Sequence, residues 1–145
     1  MSFVVALPEQ VALPVRQRVL AVAVARVALW ATHGRRPDER VQRVVDLALR
    51  RLCRVSSPVE AEYAVRTVTT AVLRLGGSTA CLPRSLAALL LCRVHGHVPT
   101  LVVGIRPATG EVHAWIDAAG RAVAEPSDPR PAYVPVKTYP SGDQR

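Results

Sequence analysis

Aromatic residues are scarce in this chain. Phe, Trp and Tyr together make up 4% of its 145 residues, so a core has to be assembled from Val, Leu and Ala. With so few aromatics and no recognised nucleic-acid-binding motif, no nucleic-acid partner is expected. Lysine is nearly absent too: Lys137 is the only one, and almost all the positive charge is arginine. Cysteine is limited to Cys53, Cys81 and Cys92. A small, odd set offers no disulfide framework and argues for free thiols in a reducing compartment, so a cytoplasmic protein is expected. Long apolar runs are missing as well. Residues 19–30, VLAVAVARVALW, resemble a signal-peptide core, but Arg26 interrupts them and Pro8 and Pro14 precede them. The run is too short to span a bilayer; it reads as a buried helix, and no membrane partner is expected. There is no internal repeat.

What is present is an apolar, basic chain. Half of the residues are hydrophobic, which fits a globular protein rather than a disordered one. The length suits a single domain with a real core. A net charge of +8 and a pI of about 10.7 favour acidic partners.

Punctuation divides the chain into three parts. Residues 1–77 read as a helical, partner-docking half. SFVVAL at 2–7 is an apolar arm or edge strand, with a weak capacity to add to a partner's sheet. Pro14 suits a first helical turn, and a helix is predicted from Val15 to about Thr32, stopped by Gly34. A second is predicted from Asp38 to Leu52, with acids in its first turn and Arg50, Arg51 and Arg54 at its end. Ser57-Pro58-Val59-Glu60 combines a cap, a first-turn proline and a capping-box glutamate. The helix it opens is predicted to reach Leu75 and close at Gly76-Gly77.

Residues 78–125 read as a catalytic core. A fourth helix is predicted from Cys81 to Val94, then strands over 98–105, 111–117 and 121–125, joined by turns at Pro107–Gly110 and Asp117–Gly120. Residues 126–145 carry five prolines and read as extended or poorly ordered. The fold class is α+β: a helical half, then a nucleophile-bearing helix packed on a small antiparallel sheet.

The chemistry concentrates in the middle part. A thiolate, not a thiol, is the nucleophile, and the first turn of a helix lowers a cysteine's pKa. Cys81 occupies that place. The backbone N–H groups of Cys81 and Leu82 could hold an oxyanion, each such donor contributing about 2.7–4 kcal/mol; Pro83 has no N–H to offer. His113 is the best base, on a strand whose alternation sends His113 and Trp115 to one face. Glu125 comes back beside His113 through a hairpin and can orient its ring. Asp117 is the alternative acid, on the same face but about 13 Å along the strand, so Glu125 is favoured. Each residue also has a plain structural reading: a buried helix cysteine, a hydrogen-bonded sheet histidine. The order helix-cysteine, strand-histidine, strand-acid recurs in papain-like and transglutaminase-like folds. Cys92, His95 and His97 raise a zinc reading, but three ligands without a matching partner are poor structural-zinc spacing. No metal and no cofactor is expected.

Cys81-Leu82-Pro83-Arg84-Ser85-Leu86, Leu89-Leu90-Leu91 and Gly96, Leu101-Val102-Val103-Gly104-Ile105 and His113-Ala114-Trp115-Ile116 resemble the lasso-peptide leader peptidases. These are small transglutaminase-like cysteine proteases. The resemblance covers about residues 40–130. It implies a stand-alone cysteine endopeptidase that removes the leader from a ribosomally made precursor peptide. It also implies a separate leader-recognition protein and a macrolactam cyclase as partners. By motif match Cys81 is the nucleophile, His113 the base and Glu125 the acid; the family often has Asp at that place, and an acid where Asp117 stands. Arg84 and Ser85 follow the cysteine in the family pattern. Arg84 is read as tying the helix start to a carbonyl or acid, or as binding a substrate anion. Trp115 is read as a wall of the site or as core. The other functional readings are a non-catalytic peptide- or partner-binding module on the same fold, and acyl transfer to an amine by the same triad.

Overall fold

The computed structural model describes residues 10–51 and 53–139; the arm at 2–7, Leu52 and Pro140 lie outside that range. The helices are α1 (Val15–Thr32), α2 (Pro37–Ala48), α3 (Pro58–Ala71) and α4 (Cys81–Val94), with a 3-10 turn at Leu73–Gly76. The strands are β1 (Arg54–Val55), β2 (His97–Val98), β3 (Thr100–Ile105), β4 (Val112–Ala118), β5 (Arg121–Val123) and β6 (Val134–Tyr139).

Helix α4 is the hub. It packs against α1 and α3 on one side and against β3 and β4 on the other. Its sequence explains this: Leu86, Ala87, Ala88, Leu89, Leu91 and Cys92 are all fully buried, and a helix that is apolar all round belongs in a core. Helix α1 meets it through small residues. Ala21, Ala25, Ala28 and Ala31 are fully buried, one helical stripe that permits close approach. The rest of α1 differs from the fully buried helix expected: Val15, Val19, Val27 and Trp30 are exposed.

Two helices stop earlier than their patterns suggested. Helix α2 ends at Ala48, not Leu52; the Nε of Arg93 on α4 donates to the Ala48 carbonyl at 2.7 Å and caps the end. Helix α3 starts as expected. The Ser57 hydroxyl accepts from the Glu60 N–H at 3.2 Å, and the Ser57 N–H donates to the Glu60 carboxylate at 2.9 Å. It ends at Ala71 instead of Leu75. Its last turns are rich in β-branched residues, which lose side-chain freedom in a helix, and the Thr69 hydroxyl bonds back to the Val65 and Arg66 carbonyls. Val72 turns extended, and the 3-10 turn carries Leu75 into the core.

The main sheet runs β5-β4-β3-β6, antiparallel throughout. A separate parallel pair joins β1 to β2. The β4–β5 hairpin turns on Ala119 and Gly120, both with positive φ, as the two-residue turns that match strand twist require. Within the C-terminal segment, residues 134–139 are extended and, beyond what was expected, pair with β3 as β6. Pro135 is accommodated because β6 is an edge strand, where a missing N–H costs no ladder bond.

Candidate active site

Cys81 is the first residue of α4, and no side chain caps that end. The helix-start N–H groups are therefore not consumed by a capping hydroxyl. His113 is near the start of β4, opposite Gly104. Glu125 lies just past β5, two residues beyond its end. Ala124 takes a left-handed φ of 54°, an unusual conformation for a residue with a Cβ. That turn swings Glu125 back, and its Oε2 meets the His113 Nε2 at 2.9 Å. Glu125 is well buried, its side chain 9% exposed.

With Nε2 engaged by Glu125, the ring also hydrogen-bonds with the Cys81 sulfur. Burial alone would push the Cys81 thiol up. The His113 ring and the backbone N–H groups of Ala114 and Leu82 outweigh it, and the net shift is downward. His113 moves the opposite way, raised to about 9, chiefly by the Cys81 sulfur and then by the Glu125 carboxylate. Opposite displacements of this kind favour a thiolate–imidazolium pair.

Of the two candidate acids, the structure brings Glu125 to the histidine and leaves Asp117 apart. Asp117 shares the face but pairs with Thr100 and Ala122 further along. Burial pushes its carboxyl up, against the opposing charge of Arg130.

The residues following Cys81 brace the site. Arg84 donates to the Leu75 and Gly77 carbonyls at 3.3 and 3.4 Å, and its guanidinium is 3.9 Å from Glu125. Ser85, buried, donates to the Ala114 carbonyl at 3.3 Å and ties α4 to the strand next to His113. Trp115 is core: the residue is 1% exposed, and its ring lies 6.0 Å from the His113 ring, stacked.

Sequence reasoning missed Tyr133 and Arg106. The Tyr133 ring is 5.2 Å from His113, and its hydroxyl accepts from Arg106 at 3.0 Å. The scarcity of aromatics was the available signal, since few rings exist to build such a wall. Gly104 makes the stack possible. A Cβ there would come within 3.0 Å of the Trp115 ring and 3.1 Å of the Tyr133 Cβ.

A cleft of about 690 Å³ opens on this side, with Glu62, Arg66, Arg84, His113, Glu125 and Tyr133 among its walls. Cys81, half-buried, is not one of them, so the cleft meets the pair from the imidazole–carboxylate side. Cys92, His95 and His97 do not converge on a metal: Cys92 is buried, and the His97 Nδ1 is 2.7 Å from the Ser56 hydroxyl. Among the described residues no group of three potential ligands is placed for one. No described helix is long and apolar enough to cross a membrane.

A thiol at a helix start, an imidazole on a strand and a carboxylate beyond the next hairpin have the geometry of a thiol acyl-transfer centre. The sequence profile of the transglutaminase-like superfamily matches residues 3–138, and the chain belongs to that superfamily. Its fold is typically that of cysteine-type enzymes. Searches of the curated proteins and of the solved structures returned no match.

Proposed function

We propose that this protein is a cysteine endopeptidase of the lasso-peptide leader peptidase type, acting in the cytoplasm. The observation that carries the reading is the Cys81–His113–Glu125 arrangement, with sulfur and imidazole displaced in opposite directions. The Cys81 thiolate adds to a peptide carbonyl, and the Leu82 N–H faces the oxyanion. His113 gives its proton to the departing amine of the core peptide, leaving the leader as a thioester on Cys81. Water then adds to the thioester as His113 takes its proton. The sulfur leaves, and the leader departs with a free carboxylate. The freed amine is the group a macrolactam cyclase would acylate.

The helical half is the proposed docking side for a separate leader-recognition protein. Exposed Val19, Val27 and Trp30 lie among Arg16, Arg18 and Arg26, a surface suited to an acidic partner with an apolar patch. The arm at 2–7 is outside the described residues.

The test is cleavage of a leader-bearing precursor in the presence of its recognition protein, read by product mass. A leader with a free carboxylate is expected, and Cys81→Ala should abolish it. Full cleavage by Cys81→Ala would sink the reading, and a leader joined to an added amine would make the protein an acyl transferase.

A further inference from the structure

The outer face of the sheet holds two buried polar atoms that the described residues leave unsatisfied. Ile116 and Ala118 of β4 join the core beneath α4; alternation puts His113, Trp115 and Asp117 on the opposite face. The Trp115 Nε1 and the Asp117 Oδ1 are both buried without a hydrogen-bond partner. Leaving such an atom unpaired costs about 1–3 kcal/mol, and folded proteins nearly always satisfy it, with protein, water or ligand. Trp115 and Asp117 line one cavity of about 480 Å³, together with Thr100, Val102, Arg130 and Thr138. The register explains the floor: Thr100 stands opposite Asp117, Val102 opposite Trp115 and Thr138 opposite Val102.

The two atoms define the occupant's chemistry. One is a donor and the other an acceptor. A cation would suit Asp117, but it would meet Arg130 and leave the indole N–H unmatched. A carboxylate would suit the indole, but Asp117 would repel it. Arg130 is already held, its Nε donating to Asp128 at 2.8 Å, its Nη2 to the same carboxylate at 2.7 Å, and its Nη1 to the Gly120 carbonyl. An uncharged group that both accepts and donates remains. The two side chains stem from Cα atoms about 6.6 Å apart. A hydroxyl would have to serve both atoms from a single oxygen, whereas a carboxamide carries its acceptor and its donor on separate atoms.

We propose that this cavity is a specificity subsite for a Gln or Asn side chain of the peptide substrate. The Trp115 indole N–H donates to the amide oxygen, and the Asp117 carboxylate accepts from the amide nitrogen. The proposal rests on the peptide-processing reading above. Asp117 is about 13 Å along β4 from His113, and an extended peptide advances about 3.3 Å per residue. The residue recognised is therefore three to four positions from the bond that is broken.

The full-length Cys81→Ala protein separates binding from chemistry. Its two indole N–H resonances are followed by NMR during titration with acetylated alanine hexapeptides carrying Gln, Asn, Ser, Lys, Glu or Leu at one position. The Gln and Asn peptides should shift the Trp115 resonance saturably and leave that of exposed Trp30 unmoved. Asp117→Asn, nearly the same in shape, should weaken the Gln peptide by roughly tenfold, the equivalent of about 1.4 kcal/mol. If no peptide moves the Trp115 resonance, an ordered water satisfies it and the subsite is overturned. A preference for Lys, Ser or Leu, or no effect of Asp117→Asn, overturns it as well. Precursor cleavage by the wild type without an indole response defeats the subsite alone. An indole response with no cleavage defeats the peptidase reading alone.

Discussion

Helix α4 carries a cysteine at each end, and the two are chemical opposites. Cys81 opens the helix, half-buried, and is pulled down by His113 and by the N–H groups of Ala114 and Leu82 in spite of burial. Cys92 sits in the last turns, fully buried, and burial pushes it up to about 12; the Ser56 hydroxyl opposes this, and the Glu60 charge adds to it. Both sulfurs lose water. What separates them is the end of the helix each occupies, since the dipole favours an anion at the N-terminus and disfavours it at the C-terminus, and whether an imidazole is in reach.

The largest expected effect is in alkylation at pH 7. From thiolate fraction alone Cys81 should outpace Cys92 by about 10³-fold or more, at tenfold per pKa unit. Peptide mapping after a short iodoacetamide pulse measures the ratio, and comparable labelling of the two would break the comparison. Removing the imidazole should shrink the gap from the Cys81 side. In His113→Ala burial is opposed only by the Ala114 and Leu82 N–H groups, so the thiol pKa rises and labelling at pH 7 falls by about tenfold or more. The sign follows from the lowered wild-type pKa: Cys81 reactivity is present above that pKa and lost as pH falls through it, and the variant's curve moves to higher pH. A pH–rate profile for both proteins decides it.

Gly104→Ala tests the aromatic wall without touching the thiol. The new methyl must displace Trp115 or Tyr133, and overpacking of this kind costs about 1–3 kcal/mol; urea unfolding with an unchanged midpoint would refute the close fit. The smallest effect belongs to Ser57→Ala, which removes the cap of α3 at about 1 kcal/mol. Thermal unfolding reads the loss, and Cys92 should stay unlabelled in the native variant, because its burial is by α4's neighbours and not by the cap.

Much of this was legible in the chain before any coordinates. Val15 to Thr32 and Cys81 to Val94 run as expected, because long periodic stretches bounded by proline and glycine specify helices strongly. The α+β class and the small antiparallel sheet follow from the same patterning. The twelve-residue spacing from His113 to Glu125 survived because the Gly120 hairpin fixes the register between them. Other features had no local signature. The β1–β2 pair is two residues on each strand, its partners 43 positions apart in sequence. Strand β6 was hidden by Pro135 within it and by the prolines around it, which read as breakers; an edge position accommodates Pro135. The left-handed Ala124 that returns Glu125 to the ring is set by what surrounds it, since alanine has no preference for that turn. The C-terminal end of α2 depends on Arg93, a residue of another helix.

Strand β6 also orders events in time. The ribosome delivers Cys81 and His113 before residues 134–139, and at about 5–20 residues per second the interval is one of seconds. Without β6, β3 lacks a partner on that edge and Tyr133 has no strand behind it to hold its ring against His113. Of the described residues, those that complete the wall of the thiol site are thus among the last to be made.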